Sequence, residues 1–451
     1  MSLIATINLM AKPVKYLSLL TSILIVMPLA ITAQDHRIYV QESNEGWELM
    51  VKDEPFMVNG MNWDYFPIGT NYEFIIWEQS DEFIKEALEY EMTLLQEMGV
   101  NSIRVYTGIQ RRWIEYIYDN YGIYTMLNHS FGRYGLMLDG EWVANTDYSD
   151  SRVIELLMSE VTELAQEYKG TRGLLLYLLG NENNYGLFWT GAETEDIPDM
   201  DEESAIRAHH MYSLFNEAAV AMKEIDPDRP IAIANGDLMF LDIISEELTD
   251  IDIFGSNVYR GISFTDLYDR VKNVYGKPVL LTEFGADAYN AKTDEEDQVC
   301  QAYYKRGNWK EIYRYAAGMG KTGNSIGGYT FQFSDGWWKY GQTEDLDLHN
   351  TEATWANAAY QCDFVEGENN MNEAWFGIMA KGPTQESGHF ELYPRAAYYV
   401  IKEAHKFDPY ADDATPAKLV EHFDSISLTE ACERAVNCSE DAGTNRIFEK
   451  N

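Results

Sequence analysis

Positive charge is scarce in this sequence. Against 74 aspartates and glutamates stand only 34 lysines and arginines, for a formal net charge of −40 over 451 residues. A field of that sign repels nucleic acid and anionic membrane, and makes strongly acidic polysaccharides uncomfortable ligands. Histidine is sparser still, 8 in all, with no cluster at metal-ligand spacing and no Cys-x-x-Cys pair, so no metal and no other cofactor is expected. The 4 cysteines are Cys300, Cys362, Cys432 and Cys438. An even number in an exported protein permits two disulfides, the local pair Cys432–Cys438 being favoured, with four free thiols as the alternative. Long apolar runs are missing with one exception, Tyr16 to Ala33, which follows Lys12 and Lys15. A basic start, an apolar stretch and a small residue before Gln34 predict a secretory signal peptide over residues 1–33, and hence a periplasmic or extracellular protein. An uncleaved membrane anchor is the alternative, and beyond that segment no contact with a membrane is expected.

What the chain does have is aromatics, 14% of residues, and an alternation of strand and helix signals. Tyr and Trp in such numbers suit stacking on sugar rings, although core packing accounts for most of them. Residues 34–55 read as a hairpin: Arg37 to Gln41 alternates, Asn44-Glu45-Gly46 turns, and Trp47 to Val51 alternates again. Strands are then expected at Phe56–Asn62, Val100–Tyr106, Ile123–Leu127, Leu174–Leu179, Ile231–Ala234, Ile251–Ser256, Pro278–Phe284 and Gly328–Phe333. Helices fall between them, for example from Ser80 to Gly99, Arg152 to Tyr168, Glu203 to Ile225, Trp309 to Met319 and Arg395 to His405. Short buried strands separated by helices predict an α/β fold, a (β/α)8 TIM barrel over residues 56–407. The segment from Asp335 to Arg395 is expected to be a long loop over the mouth of the barrel, and residues 408–451 a polar peripheral tail.

Two of these strands end alike. Leu174-Leu175-Leu176-Tyr177-Leu178-Leu179 runs without polar alternation into Gly180-Asn181-Glu182-Asn183, and Pro278-Val279-Leu280-Leu281-Thr282 into Glu283-Phe284-Gly285. Strands buried on both faces that each deliver a carboxylate to the end of a parallel barrel suggest a two-carboxylate site for sugar acetal chemistry. Leu179-Gly180-Asn181-Glu182 and Leu281-Thr282-Glu283-Phe284-Gly285 resemble the strand-four and strand-seven signatures of the clan of retaining glycosidases on (β/α)8 barrels. They look most like the catalytic domain of glycoside hydrolase family 2, with family 5 a near relative. The resemblance covers about Phe56 to His405 and implies a retaining β-glycoside hydrolase with a carbohydrate substrate. Glu182 would be its acid/base, Glu283 its nucleophile, and Asn181 a partner for the sugar 2-hydroxyl. Asn101-Ser102-Ile103-Arg104-Val105-Tyr106 is similar to the strand-two pattern, in which the arginine holds the nucleophile ionised, and Asn257-Val258-Tyr259 to the strand-six segment whose tyrosine sits beside it. By the same resemblance Trp337 or Trp338 would be the platform under the reacting sugar, and His129 a polar contact to substrate. Family 2 enzymes carry β-sandwich domains before the barrel. Here about twenty-five residues stand between the expected signal and the first strand, so that family's substrates are not carried over.

The same residues would serve a transglycosylase, and a non-catalytic carbohydrate-binding barrel is the rival from another class. Three local patterns carry less. Gly320-Lys321-Thr322 lacks the earlier glycine of a phosphate loop, with Tyr315 in its place. Asp345-Leu346-Asp347-Leu348-His349 offers oxygen and nitrogen ligands, as acidic loops in so acidic a chain commonly do. Asn128-His129-Ser130 matches a glycosylation sequon.

Overall fold

The computed structural model describes residues 37–187, 202–338 and 342–439; the expected signal segment, residues 1–33, lies outside them. Its centre is a closed barrel of parallel strands in the order β5-β6-β7-β8-β1-β2-β3-β4. These are β1 (Val58–Asn62), β2 (Ser102–Tyr106), β3 (Tyr124–His129), β4 (Leu174–Leu179), β5 (Ile231–Gly236), β6 (Ile253–Asn257), β7 (Val279–Phe284) and β8 (Ser325–Thr330). Each is followed by a helix: α1 (Asp81–Glu97), α2 (Arg111–Tyr121), α3 (Ser151–Tyr168), α4 (Glu202–Ile225), α5 (Leu241–Glu247), α6 (Leu267–Val274), α7 (Gln298–Arg314) and α8 (Ala396–Ala404). The (β/α)8 architecture expected from the sequence is the one observed.

Every residue of β4 is buried because it faces two cores. Leu176 and Leu178 join the inner cluster with Met126, Ala232, Leu280 and Tyr329, whereas Tyr177 and Leu179 pack into the helical layer. Complete burial removes the period-2 polarity of a half-exposed strand and leaves the apolar run. Helix starts follow side-chain chemistry: Ser80 accepts from the N–H of Phe83 at 3.2 Å and Asp150 from that of Arg152 at 2.9 Å. The hairpin Ile38–Glu42 with Trp47–Val51 lies at the amino ends of the barrel strands, bonding Trp47 N–H to the Gly323 carbonyl and adding Ile38, Leu49 and Val51 to the inner cluster. The opposite end, where the strands finish, is free of this hairpin.

Several boundaries differ from expectation. β8 begins at Ser325, earlier than expected, because Gly327 and Gly328 are strand residues. A Cβ on Gly327 would lie 2.3 Å from the Val58 carbonyl oxygen, so the close passage of β1 requires a glycine that reads in sequence as a break. The segment after β8 contains a hairpin, Met379–Thr384 with Phe390–Pro394, rather than loop alone. It also docks on the mouth from both sides. Gly69 N–H reaches the Leu346 carbonyl at 3.1 Å, Asn357 Nδ2 donates to the Tyr259 carbonyl at 2.9 Å, and Tyr360 Oη donates to the Gly285 carbonyl at 2.5 Å. Both disulfides form: Cys300–Cys362 ties this segment to α7, and Cys432–Cys438 closes a short loop. The tail is not merely polar. α9 (Pro416–Ser425) and α10 (Leu428–Arg434) bury Leu419, Phe423 and Ala431 against the helical layer. Among the described residues, no helix is long and apolar enough to cross a membrane.

Candidate active site

Arg104, near the end of β2, organises the mouth. The side chain is fully buried, and its Nη1 lies 2.6 Å from Glu283 Oε1 at the end of β7. Nε and Nη2 both donate to Asn128 Oδ1 of β3, at 2.9 and 2.6 Å, and Nη2 donates to Asn181 Oδ1 beyond β4 at 2.8 Å. Nη1 also reaches the Thr282 carbonyl at 3.2 Å. A buried charge is tolerable only when its donors are satisfied, and a planar guanidinium can meet several strands at once. The second oxygen of Glu283, which is 8% exposed, accepts from Tyr259 Oη at 3.1 Å. Burial above all, and then the charges of Glu283 and Glu182, push the Tyr259 phenol well above its ordinary range, so it keeps the proton it donates.

Glu182 leaves β4 in a left-handed backbone conformation, φ 58°, that a β-carbon disfavours. Asparagines on either side hold the turn. Asn183 Oδ1 accepts from the Asn181 N–H at 2.7 Å, and Asn183 Nδ2 donates to the Phe131 carbonyl at 2.9 Å. Asn184 pairs with Gly236 of β5 through two bonds of 3.0 and 2.7 Å, while the Glu182 N–H itself reaches the Ala234 carbonyl at 2.8 Å. Burial, and after it the charge of Glu283, raises the Glu182 carboxyl to about 7, while Arg133, Asn257 and Arg104 oppose the rise. Two carboxyls in one mouth are thus differentiated, one facing a permanent cation and the other retaining a proton near neutrality.

That raised value has a consequence for stability. Below about pH 4.5 Glu182 is protonated both folded and unfolded; as the pH rises from there through 7 the unfolded chain releases its proton first, and the residue's contribution is lost across that window. Glu182→Gln is therefore expected to be more stable than wild type at pH 8 by about 3 kcal/mol, with the gap narrowing toward pH 4.5. Thermal unfolding of both proteins at the two pH values checks this; a gap independent of pH contradicts it.

Of the residues singled out from the sequence, Arg104, Asn181, Glu182, Tyr259 and Glu283 meet in this network. His129 does not. It adjoins Asn128 on β3, and neighbouring strand residues point to opposite faces. Asn128 takes the inner face, and the His129 ring lies 3.3 Å from Glu160 on α3, accepting from the Phe131 N–H at 3.2 Å. Trp337 and Trp338 each pack against other rings of the loops around the mouth. Trp337 stacks on His349 at 4.7 Å, and Trp338 sits between Phe66 and Tyr72 of the β1–α1 loop at 5.4 and 5.7 Å. His349 itself lies between Trp337 and Trp375 with Nε2 2.7 Å from the Ala374 carbonyl oxygen, and no His/Cys/Asp/Glu group able to hold a metal occurs among the described residues. The sequon asparagine, Asn128, is buried inside the barrel.

Sequence reasoning passed over Asn62, Asn128, Asn257 and Tyr134. Asn62 Nδ2 donates to the Thr282 carbonyl at 3.1 Å, Asn257 bridges Thr282 Oγ1 and Asn181 Oδ1 at 2.7 and 3.0 Å, and Tyr134 Oη accepts from Asn181 Nδ2 at 2.7 Å. The available signal was an asparagine at the last or next-to-last position of the first, third and sixth strands, polar residues that apolar strands do not otherwise need.

The family profile for the TIM barrel domain of glycosyl hydrolases family 2 matches residues 49–339. The chain belongs to this family. No curated protein matches it by sequence. Solved structures similar to this family 2 barrel include Bacteroides uniformis β-glucuronidase 2 covalently bound to cyclophellitol-6-carboxylate aziridine. The two share 14% identity at a TM-score of 0.52, with 82% of this chain and 37% of that one covered. Another is a β-galacturonidase from Eisenbergiella tayi bound to galacturonate, with 16% identity, a TM-score of 0.48, and 83% and 55% covered. The family 2 chain described here thus spans little more than half the length of one and about a third of the other. At these identities the likeness speaks to the fold.

Proposed function

We propose that this protein is a retaining β-glycoside hydrolase that cleaves O-glycosidic bonds of an oligo- or polysaccharide by double displacement. The observation that carries this reading is the differentiated pair: Glu283 opposite Arg104 at 2.6 Å, and Glu182 with its carboxyl raised to about 7. In the first step a Glu283 oxygen attacks the anomeric carbon as the glycosidic C–O bond breaks, and the Glu182 proton passes to the departing oxygen. Glu182, now ionised, takes a proton from water, whose oxygen displaces Glu283 and returns it as a carboxylate. Arg104 and Tyr259 hold Glu283 in place for attack, Tyr259 through its bond to the other carboxylate oxygen. Asn181 spends one Nδ2 hydrogen on Tyr134, which leaves the second for a substrate hydroxyl. The two disulfides are in keeping with export to an oxidising compartment, which we include in the proposal.

A 2-deoxy-2-fluoro β-glycoside with a good leaving group tests the reading, because the fluorine slows release of the covalent intermediate more than its formation. Peptide mass spectrometry is expected to find the sugar on Glu283. Reversible binding with no adduct would favour a carbohydrate-binding barrel, and an adduct elsewhere would overturn the assignment.

A further inference from the structure

The connection between β3 and α3 carries an exposed aromatic surface that the catalytic network does not use. Leu136–Leu138 and Glu141–Val143 form a small antiparallel hairpin around Asp139-Gly140, placing Met137 directly opposite Trp142. Their side chains share a face and are 55% and 59% exposed. Single exposed apolar residues are ordinary, but this pair lies side by side on a paired hairpin. The Trp142 ring lies against Gly135, where a Cβ would come within 2.6 Å of ring atom Cζ2, so one side of the indole is seated on backbone. At the hairpin tip Arg152 Nη1 lies 2.8 Å from Asp139 Oδ2, an ion pair on the surface.

The base of the hairpin is bolted to the Glu182 turn. Arg133 Nε donates to the Asn181 carbonyl at 2.9 Å, Tyr134 Oη takes the Asn181 amide at 2.7 Å, and Asn183 Nδ2 reaches Tyr148 Oη at 2.8 Å. The Tyr106 and Tyr134 hydroxyls are hydrogen-bonded to each other, and both rings are partly open, 40% and 36% exposed. Partly open tyrosine rings therefore stand at the Asn181 end of this connection, and Trp142 at its hairpin. A fixed, flat, solvent-facing indole suits the C–H face of a pyranose, flattest when every hydroxyl is equatorial, as in β-glucans. A chain carrying −40 favours a neutral sugar over an acidic one.

We propose that this hairpin is a distal sugar subsite, in which Trp142 stacks on a ring one or more units from the bond cleaved, so that the substrate is a neutral β-linked glucan chain. The proposal rests on the glycosidase reading but is tested apart from it. Calorimetry with cellotetraose and laminaritetraose compares Glu283→Gln with the double variant Glu283→Gln/Trp142→Ala. An affinity for one tetrasaccharide that falls about tenfold in the double variant, and recovers with Trp142→Phe, supports the subsite whether or not the enzyme turns over. Equal affinities, or no binding of either tetrasaccharide to Glu283→Gln, overturn it. In the active background, Trp142→Ala is expected to lower kcat/KM for the tetrasaccharide about tenfold relative to 4-nitrophenyl β-glucoside, chiefly through KM. A change of oligomeric state on Trp142→Ala with tetrasaccharide affinity intact would assign the face to a protein contact instead. Failure of wild type to cleave any glycoside would count against the glycosidase reading alone.

Discussion

Glu283→Ala is expected to lower turnover by about 10⁴-fold or more on every substrate the wild type accepts. No leaving group is good enough to bypass the loss, because the missing group is the one that forms the covalent bond. Arg104 would be left facing a gap, and an uncompensated buried cation is costly, so the alanine variant is expected to lose stability as well. Glu283→Gln separates the two effects. Its amide oxygen can still accept from Arg104 and the side chain keeps its volume, yet it is a poor nucleophile. A folded Glu283→Gln protein with wild-type turnover would sink the mechanism.

Glu182→Ala should behave differently, and the difference is the diagnosis. General acid assistance contributes about 10²–10⁴-fold, so loss of that size is expected on natural glycosides, whose leaving oxygen needs a proton. A 2,4-dinitrophenyl glycoside needs none, and its first step is expected to survive, with the covalent intermediate accumulating. Azide, small enough for the space vacated and nucleophilic without a general base, should restore turnover and yield the β-glycosyl azide. In wild type the alkaline limb of kcat/KM on natural glycosides is expected near pH 7, because the acid form of Glu182 is lost there. Azide rescue giving the α-product, or no rescue with a folded protein, would show that Glu182 does not face the sugar as proposed.

The parts of the molecule legible in one dimension share a cause. β4 and β7 are buried on both faces, so their apolar runs and terminal acids stand out whatever surrounds them. Helices such as α3 announce themselves through a cap and an apolar stripe. α7 shows the opposite case: the sequence predicts only its last third, from Trp309, because Gln298, Gln301, Lys305 and Asn308 are buried polar residues that interrupt the stripe. Their partners come from distant segments: Lys305 donates to the Phe331 carbonyl at 2.6 Å and Asn308 to that of Gly261 at 2.8 Å.

By itself, the sequence determined the barrel and the two glutamates at its open end, since a strand that must be apolar throughout has no structural use for a carboxylate at its tip. Tertiary structure alone decided which neighbours completed the site. A one-residue step along β3 sends Asn128 inward and His129 out to α3, and the segment after β8 sets Trp337 on His349 and Trp338 on Phe66. Side-chain direction and long-range partners depend on how strands close around an axis, which no local pattern encodes.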